Sequence, residues 1–80
     1  MKIPRDISGK VIIKKLKKLG YEQTRQSGSH IRLTVNIKGE EHHITIPNHN
    51  PIKIGTLNNI LKDIALHHNK SKDEIIKTLF

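Results

Sequence analysis

The 80-residue sequence predicts an α+β fold in the order α-β-β-β-α-α, with a three-stranded antiparallel sheet covered by helices on one face. Three observations predict it. Apolar residues recur at helical spacing from Ser8 to Leu19 and again beyond Thr56. Apolar and polar residues alternate from His30 to Ile37 and from Glu41 to Ile46. The connections between those runs are too short for anything but antiparallel pairing.

The first helix is expected from Ser8, a plausible N-cap, to Leu19, with Gly20 as its C-terminal stop. Ile12, Leu16 and Leu19 share one face; Lys10, Lys14, Lys17 and Lys18 gather on another. Tyr21 to Ser27 is mostly polar and reads as a weak or edge strand. In the next strand Ile31, Leu33, Val35 and Ile37 point one way, and His30, Arg32, Thr34 and Asn36 the other. Lys38-Gly39-Glu40 is a turn. The third strand sets Ile44 and Ile46 against Glu41, His43 and Thr45. Pro47-Asn48-His49-Asn50-Pro51 is a loop by its prolines and asparagines. A second helix is expected from about Thr56, read as its N-cap, because Leu57, Ile60, Leu61 and Ile64 fill the i, i+3, i+4, i+7 template. His67 to Lys70 breaks that pattern. Ser71-Lys72-Asp73-Glu74 has the form of a capping box and opens a last short helix. A sheet with helices on one face is the economical packing of these elements. It is also the layout of the double-stranded RNA-binding domain, which reads A-form shape and 2′-hydroxyls.

Composition narrows the function. The length predicts a single domain, residues 1–80, with a shallow groove or open sheet face rather than a large enclosed cavity. The absence of cysteine excludes disulfides, thiolate metal sites and a cysteine nucleophile, and it fits a reducing compartment. No apolar run approaches the roughly 20 residues that span a bilayer. The start, Met1-Lys2-Ile3-Pro4-Arg5-Asp6, lacks the apolar stretch of a signal peptide. A cytoplasmic protein is expected. The net charge is +8, from 15 basic and 7 acidic residues, which favours a polyanion and points to nucleic acid. Tyr21 and Phe80 are the only aromatics, so a base-stacking platform is not expected; recognition should run through phosphates and hydroxyls.

His30 opens its strand directly after Gly28-Ser29, with its ring on the polar face beside Arg32. RNA carries its own nucleophile, the 2′-hydroxyl. An enzyme then needs a base for that proton, an acid for the leaving 5′-oxygen, and positive charge at the phosphate. Histidine suits the first two roles and Arg32 the third. The bland alternative is a solvent-facing histidine without a role. His49 could hold substrate or satisfy loop backbone. The lysine face of the first helix could track phosphates or be a solvated surface. Gly28-Ser29 could leave backbone N–H groups free for a phosphate, although two residues do not define a cradle. His42 and His43 face opposite ways on a strand and cannot both ligate one ion. His67 and His68 end a helix, where cations are favourable. On spacing alone both pairs read as structural or incidental. With no H-E-x-x-H and no dense carboxylate cluster, neither a catalytic metal nor any other cofactor is expected.

These pieces have a familiar order. Ser8-Gly9-Lys10 leads into an amphipathic helix ending Leu19-Gly20-Tyr21. Arg25-Gln26-Ser27-Gly28-Ser29-His30 follows, then Ile46-Pro47-Asn48-His49, then Gly55-Thr56-Leu57 and Ile60-Leu61. In these segments the sequence resembles the HicA toxins, small messenger-RNA interferases with a double-stranded RNA-binding-domain-like fold. The Gly-Ser-His triplet is the most telling element, and Pro47-Asn48-His49 has the family's Pro-x-His form. The resemblance implies that His30 is catalytic. It also implies an mRNA substrate and a HicB-like antitoxin that blocks RNA access. The function expected is metal-independent cleavage of mRNA. Lys10, Lys14, Lys17, Lys18, Arg25, Ser29, Arg32 and His49 are the candidate RNA contacts, and His43 or water the candidate second proton-transfer group. A non-catalytic double-stranded RNA-binding module is the alternative.

Overall fold

The structure, a computed structural model, describes residues 3–80; Met1 and Lys2, at the head of the segment considered above as a signal peptide, lie outside the described residues. The order is α1 (Gly9–Lys17), β1 (Glu22–Ser27), β2 (His30–Ile37), β3 (Glu40–Pro47), α2 (Ile54–His67) and α3 (Lys72–Leu79). The strands form one antiparallel sheet in the order β1-β2-β3, as the alternation predicts.

Local chemistry accounts for most of the boundaries. The Ser8 side chain accepts a hydrogen bond from Val11 N and caps α1. At the other end the helix stops at Lys17, two residues before the expected end. Gly20 sits at φ +95°, and Tyr21 N donates to Leu16 O at 3.3 Å. That six-to-one bond across a left-handed residue is a Schellman-type stop. Asn69, at φ 54°, repeats the device after α2, with Lys70 N donating to Ala65 O at 3.0 Å. The β2–β3 hairpin turns at Lys38 and Gly39, both at positive φ, which matches the right-handed twist of the flanking strands. Ser71 and Glu74 form the complete capping box at the start of α3.

The start of α2 differs from expectation. The helix begins at Ile54, with Lys53 at the N-cap position and no side-chain capping bond. Thr56 lies inside the first turn. The reason is tertiary: Ile52 is buried and its N–H donates to Ile7 O at 2.8 Å. This pins the chain just before the helix, so the ladder starts from Lys53 O, which accepts from Leu57 N at 2.9 Å.

The helices cover one face of the sheet. Ile12 and Leu16 of α1, Leu33 and Ile46 of the sheet, and Leu57, Leu61 and Ile64 of α2 are fully buried in one cluster, with Ile75 and Leu79 of α3 joined to it. Leu19 packs against the edge of this cluster. The other face of the sheet is polar and open to solvent. β1 is exposed along its whole length, as an edge strand should be. No helix among the described residues is long and apolar enough to cross a membrane.

Candidate active site

His30 begins β2, exposed, with Ser27 of β1 on one side and Pro47 of β3 on the other. Three backbone hydrogen bonds and one close approach build its surroundings. Asn48 N donates to Ser29 O at 2.6 Å, which ties the loop after β3 to the residue preceding His30. Gly9 N donates to His49 O at 2.9 Å, which ties the same loop to the first turn of α1. Ile52 N, bound to Ile7 O, closes the loop at its far end. Gly9 itself lies against the loop so closely that a Cβ there would stand 2.5 Å from Pro47 O and 2.8 Å from Asn48 Cα. Only glycine permits that contact.

The three segments Ser8-Gly9-Lys10, Gly28-Ser29-His30 and Pro47-Asn48-His49 therefore meet at one end of the sheet. They are far apart in sequence, and hydrogen bonds join them directly. The rings of His30 and His49 make no hydrogen bond with the described residues, which leaves both available to a ligand.

Two residues further along β2, Arg32 pairs with Arg25 of β1 and with Thr45 of β3. Like charges directly opposed across an antiparallel pair repel. Neither arginine has an ion-pair partner among the described residues. With Thr24, Thr34, Glu41 and His43 they line a shallow basin of about 230 Å³ on the polar face.

His43 lies elsewhere. It pairs with Thr34, and the hydroxyl of Thr34 lies 2.8 Å from its Nδ1. Thr34 is four residues beyond His30, so His43 stands about 13 Å away along the strands at 3.3 Å per residue. That separation removes His43 as the second proton-transfer group. The lysines of α1 are also dispersed. All four candidates are exposed. Lys10, next to Gly9, is at the His30 end, whereas Lys17 and Lys18 lie at the opposite end of α1, about 10 Å further along its axis. They occupy the helical layer, not the polar face of the sheet.

A second polar constellation was not legible in the sequence. His42, on the core side of β3, is 5 % exposed. Its Nδ1 lies 2.7 Å from the Tyr21 hydroxyl and its Nε2 3.2 Å from Asp63 Oδ2. His67 stacks on it, ring centroids 3.6 Å apart, and the Tyr21 hydroxyl also meets His68 Nε2 at 3.2 Å. Burial, reinforced by the Asp63 charge, pushes the Tyr21 hydroxyl well above its ordinary pKa. Burial lowers that of His68, helped by His42, Lys70 and His67. The one available signal was the apolar-side position of His42 within an alternating strand.

The chain matches, over residues 9–66, the model of the family described as HicA toxin of bacterial toxin-antitoxin. The match defines a toxin of a toxin–antitoxin system, and this chain belongs to the HicA toxin family. No curated protein and no solved structure gives a significant match. The matched span contains Gly9, Gly28-Ser29-His30 and Pro47-Asn48-His49, the segments that converge at one end of the sheet.

Proposed function

We propose that this toxin is a cytoplasmic endoribonuclease that cleaves mRNA at His30 and is silenced by a HicB-like antitoxin. The observation that carries the reading is the convergence at His30. An exposed imidazole without an internal partner sits where three family-like segments are hydrogen-bonded together. The chemistry needs little more. The 2′-hydroxyl attacks its own phosphate; the bond from phosphorus to the 5′-oxygen breaks; a cyclic phosphate and a free 5′-hydroxyl result. His30 moves one of the two protons. Arg25 and Arg32 offer opposed, unpaired charge that a phosphate would neutralise. His49, on a loop tied to Ser29, replaces His43 as the imidazole for the second proton transfer. Ser29 and Lys10 flank the same end.

The test is His30→Ala. The side chain lies on the exposed polar face, away from Ile31, Leu33 and Val35, so the fold should persist with a stability change under about 0.5 kcal/mol. Cleavage of labelled RNA should fall about 10²- to 10⁴-fold, the usual contribution of a positioned acid or base. RNA binding should persist. A folded variant, checked by circular dichroism, that cuts RNA at the parent rate would remove His30 from the mechanism. RNA with a 2′-deoxy residue at the cut site should resist cleavage there. Chelator should leave cleavage intact at temperatures where the protein stays folded.

A further inference from the structure

We propose that His42, Asp63 and His67 form a zinc-class metal site that ties β3 to the last turn of α2, remote from His30. Each residue offers one donor atom, and the three donors lie within 4.8 Å of one another. Asp63 is central. Its Oδ2 lies 3.2 Å from His42 Nε2 and its Oδ1 3.2 Å from His67 Nδ1. Two ligands at 2.0–2.1 Å from a tetrahedral zinc stand about 3.3 Å apart. A hydrogen bond between a charged imidazole and a carboxylate is usually shorter, at about 2.7–2.9 Å. The spacings, one to each carboxylate oxygen, are within reach of a shared ion. Without the ion His67 Nδ1 also donates to Asp63 O at 3.0 Å, so it must move that proton to Nε2 to become a ligand. Two imidazoles and one carboxylate are also the ligand types zinc takes, and they suit neither magnesium nor calcium.

The surroundings supply what such a site needs. A histidine ligand works best when its second nitrogen is held by another group. His42 Nδ1 is held by the buried Tyr21 hydroxyl, which is held in turn by His68 Nε2. With the ion absent, an ionised Asp63 can only accept, so a neutral His42 carries its proton on Nε2 and accepts from Tyr21 at Nδ1. With the ion on Nε2, His42 carries its proton on Nδ1 and donates to Tyr21, which donates to His68. The same three groups serve both states, with every bond reversed. An open groove of about 350 Å³, lined by Lys38, Glu40, His42, His67 and His68, reaches both histidines from one side, and Asp63 faces a neighbouring groove with Thr56 and Asn59.

One rearrangement is required. The rings of His42 and His67 are stacked, 17° from parallel with centroids 3.6 Å apart. Two imidazoles on one tetrahedral zinc hold their centroids about 5 Å apart. One ring must therefore swing outward. His42 is locked in the core, whereas His67 is 42 % exposed at the end of its helix and can turn once its Nδ1 bond to Asp63 O is released. The site is independent of the proposed catalytic end, because His42 pairs with Val35 and Pro47 with His30, five residues along β3.

The experiment titrates Zn²⁺ into the full chain, without an affinity tag, by calorimetry, and follows heat unfolding in parallel. One ion per chain should bind, and the unfolding midpoint should rise with zinc concentration. His67→Ala and Asp63→Asn change side chains over two-fifths exposed and should fold. Both should weaken binding about tenfold or more and lose the rise in midpoint. His30→Ala should keep both, which separates this site from the proposed catalytic one. No one-to-one binding, equal binding in the two ligand variants, loss of binding in His30→Ala, or an equal rise with Mg²⁺ would each overturn the assignment.

Discussion

Gly9 shows how one residue sets the geometry of a site it does not enter. It has no side chain, yet its position allows α1 to approach the Pro47–Asn48 backbone and its N–H to hold His49 O. The obstacles to a Cβ are main-chain atoms, which cannot rotate away. Gly9→Ala should therefore destabilise the protein by about 1–3 kcal/mol, the usual cost of overpacking, measured by urea unfolding. It should also lower RNA cleavage beyond the effect of stability, because the loop that moves carries His49. The same substitution at Gly55 meets no atom within 4 Å and serves as the control. An equal effect at both positions would show that the close approach has no role. His42 makes the complementary point. In an alternating strand it takes a core position, and burial is tolerable because both ring nitrogens have partners.

Among the elements, α1 and α3 illustrate two uses of helix surface. In α1 the buried face is Gly9, Ile12, Ile13 and Leu16, and lysines occupy much of the rest. Because Lys10 lies at the His30 end and Lys17 and Lys18 at the other, the row should not act as a unit. Neutralising Lys10 should lower the log–log salt slope of RNA binding by about 0.7–0.9, the release from one phosphate contact. Neutralising Lys17 and Lys18 together should change it less. The reverse order would place the RNA along the far end of the helix. In α3 the first turn depends on its cap. Ser71→Ala removes the hydroxyl that Glu74 N donates to at 3.1 Å and should cost about 1 kcal/mol, read as a lower urea midpoint at unchanged m-value.

At the scale of the whole molecule, charge and layering govern partners. A net charge of +8 on a chain this small favours polyanions, and the proposed RNA substrate and an acidic antitoxin surface are both of that kind. A HicB-like antitoxin rich in Asp and Glu at its contact surface should associate quickly at low salt. Its association rate should fall steeply with added salt while dissociation changes little, as stopped-flow measurements would show. If it acts by masking, hydrogen exchange in the complex should protect the end of the sheet at Ser29, His30 and Asn48. Protection confined to Lys62 and Lys77, with that end open, would exclude masking.

The order of elements, both alternating strands, the Gly20 stop and the Ser71 capping box were all readable residue by residue. Each depends on interactions within a few positions along the chain, which periodicity and turn chemistry report directly. His30, Arg25, Arg32 and His49 could likewise be named as candidates from residue type and motif. Their grouping could not, since Gly9, His30 and His49 meet through backbone hydrogen bonds between distant segments. For the same reason α2 starts at Ile54 rather than Thr56: a buried Ile52 anchored to Ile7 outweighs a local capping preference. The clearest case is the pair of adjacent histidines on β3. Strand geometry sends them to opposite faces, but which partners each would find depends on the packing of α2 across the sheet. That packing sets His42 against Asp63 and His67 and leaves His43 with Thr34, because side chains within bonding distance in a folded core need not be near in sequence.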